Sequence, residues 1–228
     1  MLFHASADAA GVDREALAAT LRAAADDALA TGAAFAQALT PPGNEGDIAC
    51  LMEAGFGFLA ELRYLRKPLS GPVAATGDGK VTWRTAAEVG DAALGELIRC
   101  TYEGTLDCPA LSGLRRTEDV LAGHRAAGTY RPEWWRVAEN GGEPAGCVLL
   151  NDMGPTSAEV VYMGAAPAHR GRGLGAALLR RAAGDAQAAG KLSVTLAVDA
   201  ANTYARRIYE REGFAEVQRR VAHIRTRG

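Results

Sequence analysis

The residues with the plainest chemical purpose stand at 170–175, Arg-Gly-Arg-Gly-Leu-Gly. An apolar run from Glu159 to Gly164 precedes them, and an Ala/Leu/Arg pattern of helical type follows to about Ala189. Strand, glycine turn and helix start, in that order, present backbone N–H groups to an anion. Glycine lets the chain curl with no Cβ in the way. The unpaired N–H groups and the positive end of the first helical turn then attract phosphate. Arg170 and Arg172 add charge at the rim. For proton transfer the candidates are Glu159 on the preceding strand, Glu103 and Asp107 in an irregular stretch from Glu103 to Arg116, and Asp152. Residue type alone does not choose among these four carboxylates, and a solvated surface role is open to each.

Two rival readings of the glycines fail on spacing. No Gly-Lys-Ser/Thr follows, so the stretch is not a P-loop. Gly171-x-Gly173-x-Gly175 is not the dinucleotide spacing G-x-G-x-x-G, although Gly171, Gly173 and Ala176 fit its loosest form. No acidic residue ends a second strand where that fingerprint needs one. Cys50, Cys100, Cys108 and Cys147 lack C-x-x-C spacing, which makes them structural or incidental thiols, and no metal site is expected.

What the stretch does match is Arg-x-x-Gly-x-Gly, on Arg170, Gly173 and Gly175. A second block follows: Asn-Thr-Tyr-Ala-Arg-Arg-Ile-Tyr from Asn202 to Tyr209, then Glu-Gly-Phe at 212–214. With both blocks in this order and at this separation, the chain resembles the GNAT family of acyl-CoA-dependent N-acetyltransferases over residues 80–225. That resemblance implies acetyl-CoA as cofactor and a small amine or amino-acid-like acceptor. It lays Met163, Gly164 and Ala165 along the pantetheine arm, with one of their N–H groups facing the oxyanion. It gives the pyrophosphate to Arg170, Gly171, Arg172, Gly173, Leu174, Gly175 and Ala176. Asn202 would bond the pantetheine, a helix-capping role being open as well. Tyr209 would return a proton to the leaving thiolate, with simple packing as its other reading. The family's acceptor loop falls on Tyr102–Leu111, and Glu159 and Glu103 stand as candidate bases. Transfer of a different acyl group, or a non-catalytic CoA-binding or regulatory module, are the alternatives.

The elements that must position these groups follow from patterning. Helices are expected over 13–31, 44–54, 85–102, 117–127, 174–189 and 202–212. Strands are expected over 2–5, 33–39, 57–66, 81–84, 134–139, 145–150, 158–164, 192–198 and 214–224. This is an α/β chain with a mixed α+β sheet. Asn44 lies 158 residues before Asn202, and at the same offset Gly55-Phe56 falls on Gly213-Phe214. Residues 1–70 therefore read as a truncated half-GNAT unit, 71–79 as a linker rich in Pro and Gly, and 80–228 as the acetyltransferase domain. Where the later copy has its glycines, the first has Asp13-Arg14-Glu15-Ala16-Leu17, whose carboxylates would repel a pyrophosphate. The final strand looks single where the family has two. The first copy, or a second copy of the chain in a homodimer, is expected to supply the other. A net charge of −2 gives no field for nucleic acid. No apolar run approaches a membrane span and no basic leader opens the chain, so a cytoplasmic setting is expected.

Overall fold

The computed structural model describes residues 6–71 and 81–227. The strand expected at 2–5 and nearly all of the linker expected at 71–79 lie outside the described residues. The chain divides into two units, Met1–Leu62 with Arg219–Gly228, and Arg63–Gln218. It passes from one to the other inside two strands, β2 (Gly57–Pro68) and β8 (Ala215–Thr226).

The first unit holds α1 (Arg14–Ala30), β1 (Phe35–Thr40) and α2 (Glu45–Glu53) with its share of β2 and β8. Asp13 starts α1, its Oδ1 accepting from the N–H groups of Glu15 and Ala16 at 3.0 and 3.2 Å. That carboxylate fills the anion position that the helix start offers. Leu21, Ala25, Leu51, Ala54 and Phe56 form its core. The strand order is β1-β8-β2, with β8 antiparallel to β1. Shifted by 158 residues, α2 and β2 coincide end for end with the later helix Thr203–Arg211 and with β8. Asn44 and Asn202 cap their helices alike, each Oδ1 accepting the N–H three residues on at 3.2 Å.

The second unit continues with β3 (Val81–Thr85), α3 (Ala86–Val89), α4 (Asp91–Thr101), α5 (Thr117–Ala126), β4 (Arg136–Asn140), β5 (Glu143–Asp152), β6 (Ser157–Ala165), α6 (Leu174–Ala188), β7 (Ser193–Asp199) and α7 (Thr203–Arg211). The helix expected over 85–102 is two helices. A capping box on Thr85 and Glu88 starts the first, and Gly90, at φ 86°, breaks the run. The strand order is β8-β2-β7-β6-β5-β4-β3. The strand beside β7 is thus β2. The β4–β5 turn falls on Gly141 and Gly142, both at positive φ, which suits a right-twisted two-residue hairpin.

One face of this sheet packs on α6 through Val148, Leu150, Val160, Leu178, Leu179, Val194 and Leu196. The other packs on α4 and α5 through Leu94, Ile98, Leu121, Trp135, Val137 and Leu149. Full burial of each such side chain contributes about 1.5–3 kcal/mol. At the centre, Asn151 is buried but satisfied. It accepts from Trp135 Nε1 at 2.8 Å and donates to the carbonyls of His124 and Ala127. This fixes the end of α5 on β5.

Candidate active site

Strands β6 and β7 begin side by side and then part. They pair in parallel only from Ser157 to Val160, against Ser193 to Leu196. The cause is a bulge: Leu149 faces Tyr162 and Leu150 faces Val160, so Val161 is an extra residue in β6. Beyond it Met163, Gly164 and Ala165 stay paired to Val148, Cys147 and Gly146 of β5, while their edge toward β7 is unpaired. Close packing requires glycine at 164. A Cβ there would meet Thr101 Oγ1 at 2.6 Å and Tyr162 Oη at 2.8 Å. Those two hydroxyls share a 2.6 Å hydrogen bond. Thr101 Oγ1 donates to the Ile98 carbonyl, so Tyr162 is the donor of the pair.

The glycine turn stands at the end of this edge. Gly171 and Gly173 have φ of 73° and 83°, values a side chain rarely tolerates. Gly175 is needed for another reason: a Cβ on it would lie 3.1 Å from Ile208 Cδ1, where α6 meets α7. Gly173 caps α6 with no side-chain bond. The N–H groups of Gly171, Arg172, Gly173, Leu174 and Gly175 carry no intramolecular partner among the described residues, whereas that of Ala176 bonds the Gly173 carbonyl. Arg170 does not point its guanidinium freely at this cradle. It donates through Nε to the Ala165 carbonyl at 3.1 Å and through Nη2 to the Thr101 carbonyl at 2.9 Å. It ties the end of β6 to the end of α4. Arg172 is exposed and carries no ion pair among the described residues.

Tyr209 lies 7% exposed in the core beneath α6, its ring 6.0 Å from that of Phe214. Its phenol makes no hydrogen bond among the described residues. Burial, with a smaller contribution from Asp107, raises its pKa, so it holds its proton at neutral pH. Asn202 caps α7 through Oδ1, and its Nδ2 donor has no partner among the described residues. Glu159 lies next to Ala158 and Val160, which face α6, so strand alternation turns it to the opposite side of the sheet. Burial raises its pKa, and contact with the Thr195 hydroxyl opposes that shift.

On that same side lies a cavity of about 540 Å³. Tyr102, Tyr162 and His124 form an aromatic wall, with ring centroids 5.5 Å apart for the tyrosines and 5.3 Å for His124 and Tyr162. Burial lowers the His124 pKa to about 4, so this wall is uncharged. Glu103 and Asp107 also line it, and both are exposed. Cys108 is no nucleophile: burial and the carboxylates of Asp107 and Asp199 push its thiol up to about 12.

The profile of the Acetyltransferase (GNAT) family matches residues 100–214, which is half of the chain and contains the glycine turn, Glu159, Asn202 and Tyr209. The chain belongs to the GNAT acetyltransferase family. Among curated relatives, the mycothiol acetyltransferase of Corynebacterium glutamicum strain ATCC 13032 is 31% identical over 105 residues. That match covers 44% of this chain and 36% of the relative, so the chain matches only about a third of that protein's length. Among solved structures, a GCN5-related N-acetyltransferase from Sphaerobacter thermophilus superposes with a TM-score of 0.65 at 22% identity, over 88% of this chain and 64% of that one. One from Kribbella flavida gives 0.63 at 18%, over 95% and 77%. A tandem GNAT protein from the clavulanic acid biosynthesis pathway gives 0.55 at 16%, over 85% and 64%. At these identities the structural likeness establishes the GNAT fold. Among the described residues, no helix is long and apolar enough to cross a membrane.

Met163–Ala165 thus lie on the unpaired edge of β6 with the glycine turn after them, whereas Glu159 lies in the part of β6 still paired to β7, Tyr209 in the core, Asn202 at the start of α7 and Glu103 on the cavity. Sequence reasoning missed Thr101 and Tyr162, whose hydroxyl pair seats α4 on β6. It also missed Asp199, the last residue of β7. A carboxylate directly after the apolar run Leu196–Val198 was the available signal for Asp199; for Thr101 there was none.

Proposed function

We propose that this GNAT chain transfers an acetyl group from acetyl-CoA to the primary amine of a small or amino-acid-like acceptor by direct attack. The observation that carries the reading is the parting of β6 from β7 ahead of five N–H groups at the start of α6 that have no partner among the described residues. An extended amide chain fits an open strand edge, and a pyrophosphate fits a helix start. The residues present suit coenzyme A: backbone N–H groups of 171–175 and the Arg172 side chain for the pyrophosphate, and the edge of Met163–Ala165 with Asn202 Nδ2 for the pantetheine. Bound there, acetyl-CoA supplies the activated acyl group. The amine reaches it from the cavity. Glu159, a carboxylate of raised pKa, takes the amine proton, either directly or through water. Glu103 on the rim draws a cationic amine toward the cavity. An N–H of the 163–165 edge stabilises the oxyanion. Tyr209 returns a proton to the sulfur; its buried phenol is protonated and among the described residues makes no hydrogen bond that it would have to give up. The name of the Corynebacterium relatives makes a mycothiol-type precursor amine the first acceptor to try.

We also propose that residues 1–70 are a reduced second copy of the fold. The coinciding bounds of α2 and β2 with α7 and β8 and the matched asparagine caps support this, as does the likeness to a tandem GNAT protein. Thermal melting with acetyl-CoA, and separately with NAD, tests the donor. Ligand at about a hundred times its dissociation constant adds roughly 2.7 kcal/mol, a rise of several degrees. Thiol release with a panel of amines then tests transfer. A rise with NAD alone would overturn the reading. A rise with acetyl-CoA but no thiol release with any amine would favour a non-catalytic CoA-binding module.

A further inference from the structure

The mouth between β6 and β7 is not vacant in this protein. Ser193 N–H bonds the Thr156 carbonyl just before β6. Backbone groups alternate along a strand, so the N–H groups of Thr195, Ala197 and Asp199 turn the same way, toward β6. At Asp199 the strands have already parted, and its N–H would face an open mouth. Instead it donates to Asp107 Oδ1 at 2.8 Å. The contact is reciprocal: Cys108 N–H donates to Asp199 Oδ2 at 3.1 Å, and Asp199 Oδ1 accepts from Ala201 N–H at 2.8 Å. Cys108 takes up this position at φ 44°, and among the described residues it alone of the non-glycines has positive φ. A backbone conformation of that kind is unfavourable for a residue with a side chain and persists where its surroundings hold it. The Asp107 carboxylate also lies close enough to Tyr209 to act on the phenol electrostatically.

We propose that Asp107 occupies the seat of the acyl donor, so that acyl-CoA must displace the Thr105–Cys108 segment in order to bind. This rests on the donor reading above. A carboxylate oxygen on the Asp199 N–H stands where a carbonyl oxygen of the pantetheine–thioester chain would find that same donor. Because Asp107 also lines the acceptor cavity, its displacement couples the two substrates. The donor enters first, and the freed carboxylate then faces the cavity that the ammonium enters. The unusual conformation at Cys108 favours release once the Asp199 bonds are given up.

The test compares binding of acetyl-CoA to the full chain and to Asp107→Ala and Asp107→Asn by titration calorimetry and stopped-flow. Removing the competing contact should tighten binding about tenfold in Asp107→Ala, mainly through faster association. Asp107→Asn keeps a carbonyl oxygen for the Asp199 N–H and should bind like the unaltered chain. A structural role alone would instead weaken binding in Asp107→Ala. Equal or weaker binding by that variant overturns the proposal while leaving the donor reading intact. No binding by any of the three overturns the donor reading itself. Should Asp107→Ala fail to fold, hydrogen exchange on the unaltered chain decides. Saturating acetyl-CoA should speed exchange in a peptide covering 103–112 while slowing it at 170–178. Unchanged or slower exchange at 103–112 refutes displacement.

Discussion

Replacing Gly164 by alanine tests how tightly α4 is seated on the strand that the donor would follow. The residue is not at positive φ, so space alone decides. The new methyl would sit 2.6 Å from Thr101 Oγ1, 2.7 Å from Thr101 Cβ and 2.8 Å from Tyr162 Oη. Neither residue can yield cheaply. Thr101 is 4% exposed, and its carbonyl holds Arg170; the two hydroxyls are bonded to each other. Forcing a methyl into packed surroundings costs about 1–3 kcal/mol. Losing the hydroxyl pair adds about 1 kcal/mol. The stiffer unfolded chain returns about 0.4–1 kcal/mol. The net expectation is a loss of about 2–3 kcal/mol, or about 4–12 °C in Tm for a unit of this size. Urea unfolding followed by tryptophan fluorescence is a suitable assay, because Trp83, Trp134 and Trp135 all lie in the second unit. In a Thr101→Gly background, which lacks both struck atoms of Thr101, the same substitution should cost about 1–2 kcal/mol less. A loss below about 0.5 kcal/mol in the unaltered chain, or strict additivity of the two substitutions, would refute the packing argument.

Other outcomes follow from the same geometry. Glu159→Gln should lower turnover about a hundredfold and remove the acid limb of the pH–rate profile, a limb that lies above the ordinary glutamate value of 4.5 because burial raises this pKa. Tyr209→Phe should lower kcat about a hundredfold with little change in the Kd for CoA, read by single-turnover thiol release and calorimetry. Gly173→Glu should abolish CoA binding, since it sets a side chain at φ 83° and a carboxylate before the cradle; unaltered affinity would remove the phosphate assignment. His124 holds its pKa near 4 when folded and about 6.5 when unfolded. Between those values only the unfolded chain takes up the proton, so stability is full above pH 6.5 and falls as pH drops toward 4. That loss amounts to about 3 kcal/mol, and His124→Phe should flatten it in melts across that range.

The helices and strands were largely legible because their signals are local. Asp13, Asn44 and Asn202 cap where short polar side chains should, and Gly141-Gly142 turns where positive φ is demanded. The break at Gly90 was not legible, because Val89, Ala92, Leu97 and Ile98 keep a helical period across it and only tertiary packing chooses the interruption. Within the site, the glycine turn could be read because each glycine answers a backbone need. The duty of Arg170 could not. An arginine beside a phosphate cradle suggests charge recognition, and only the structure shows its Nε and Nη2 donating to the Ala165 and Thr101 carbonyls. The bulge at Val161 leaves no periodic trace, and the bond from Asp199 to Asp107 joins segments far apart in the chain.

The route of the chain has a consequence for its synthesis. The first unit is closed by β8, which pairs with β1 from Phe35↔Thr226 to Thr40↔Val221. Those partners are made about 180–190 residues after β1, once the whole GNAT segment has been translated. Until then β1 lacks its antiparallel neighbour, and an unpaired strand edge invites wrong partners. The unit that holds β1 can therefore be completed only after the segment between its two parts has been translated, so its folding waits on the far side of the GNAT segment.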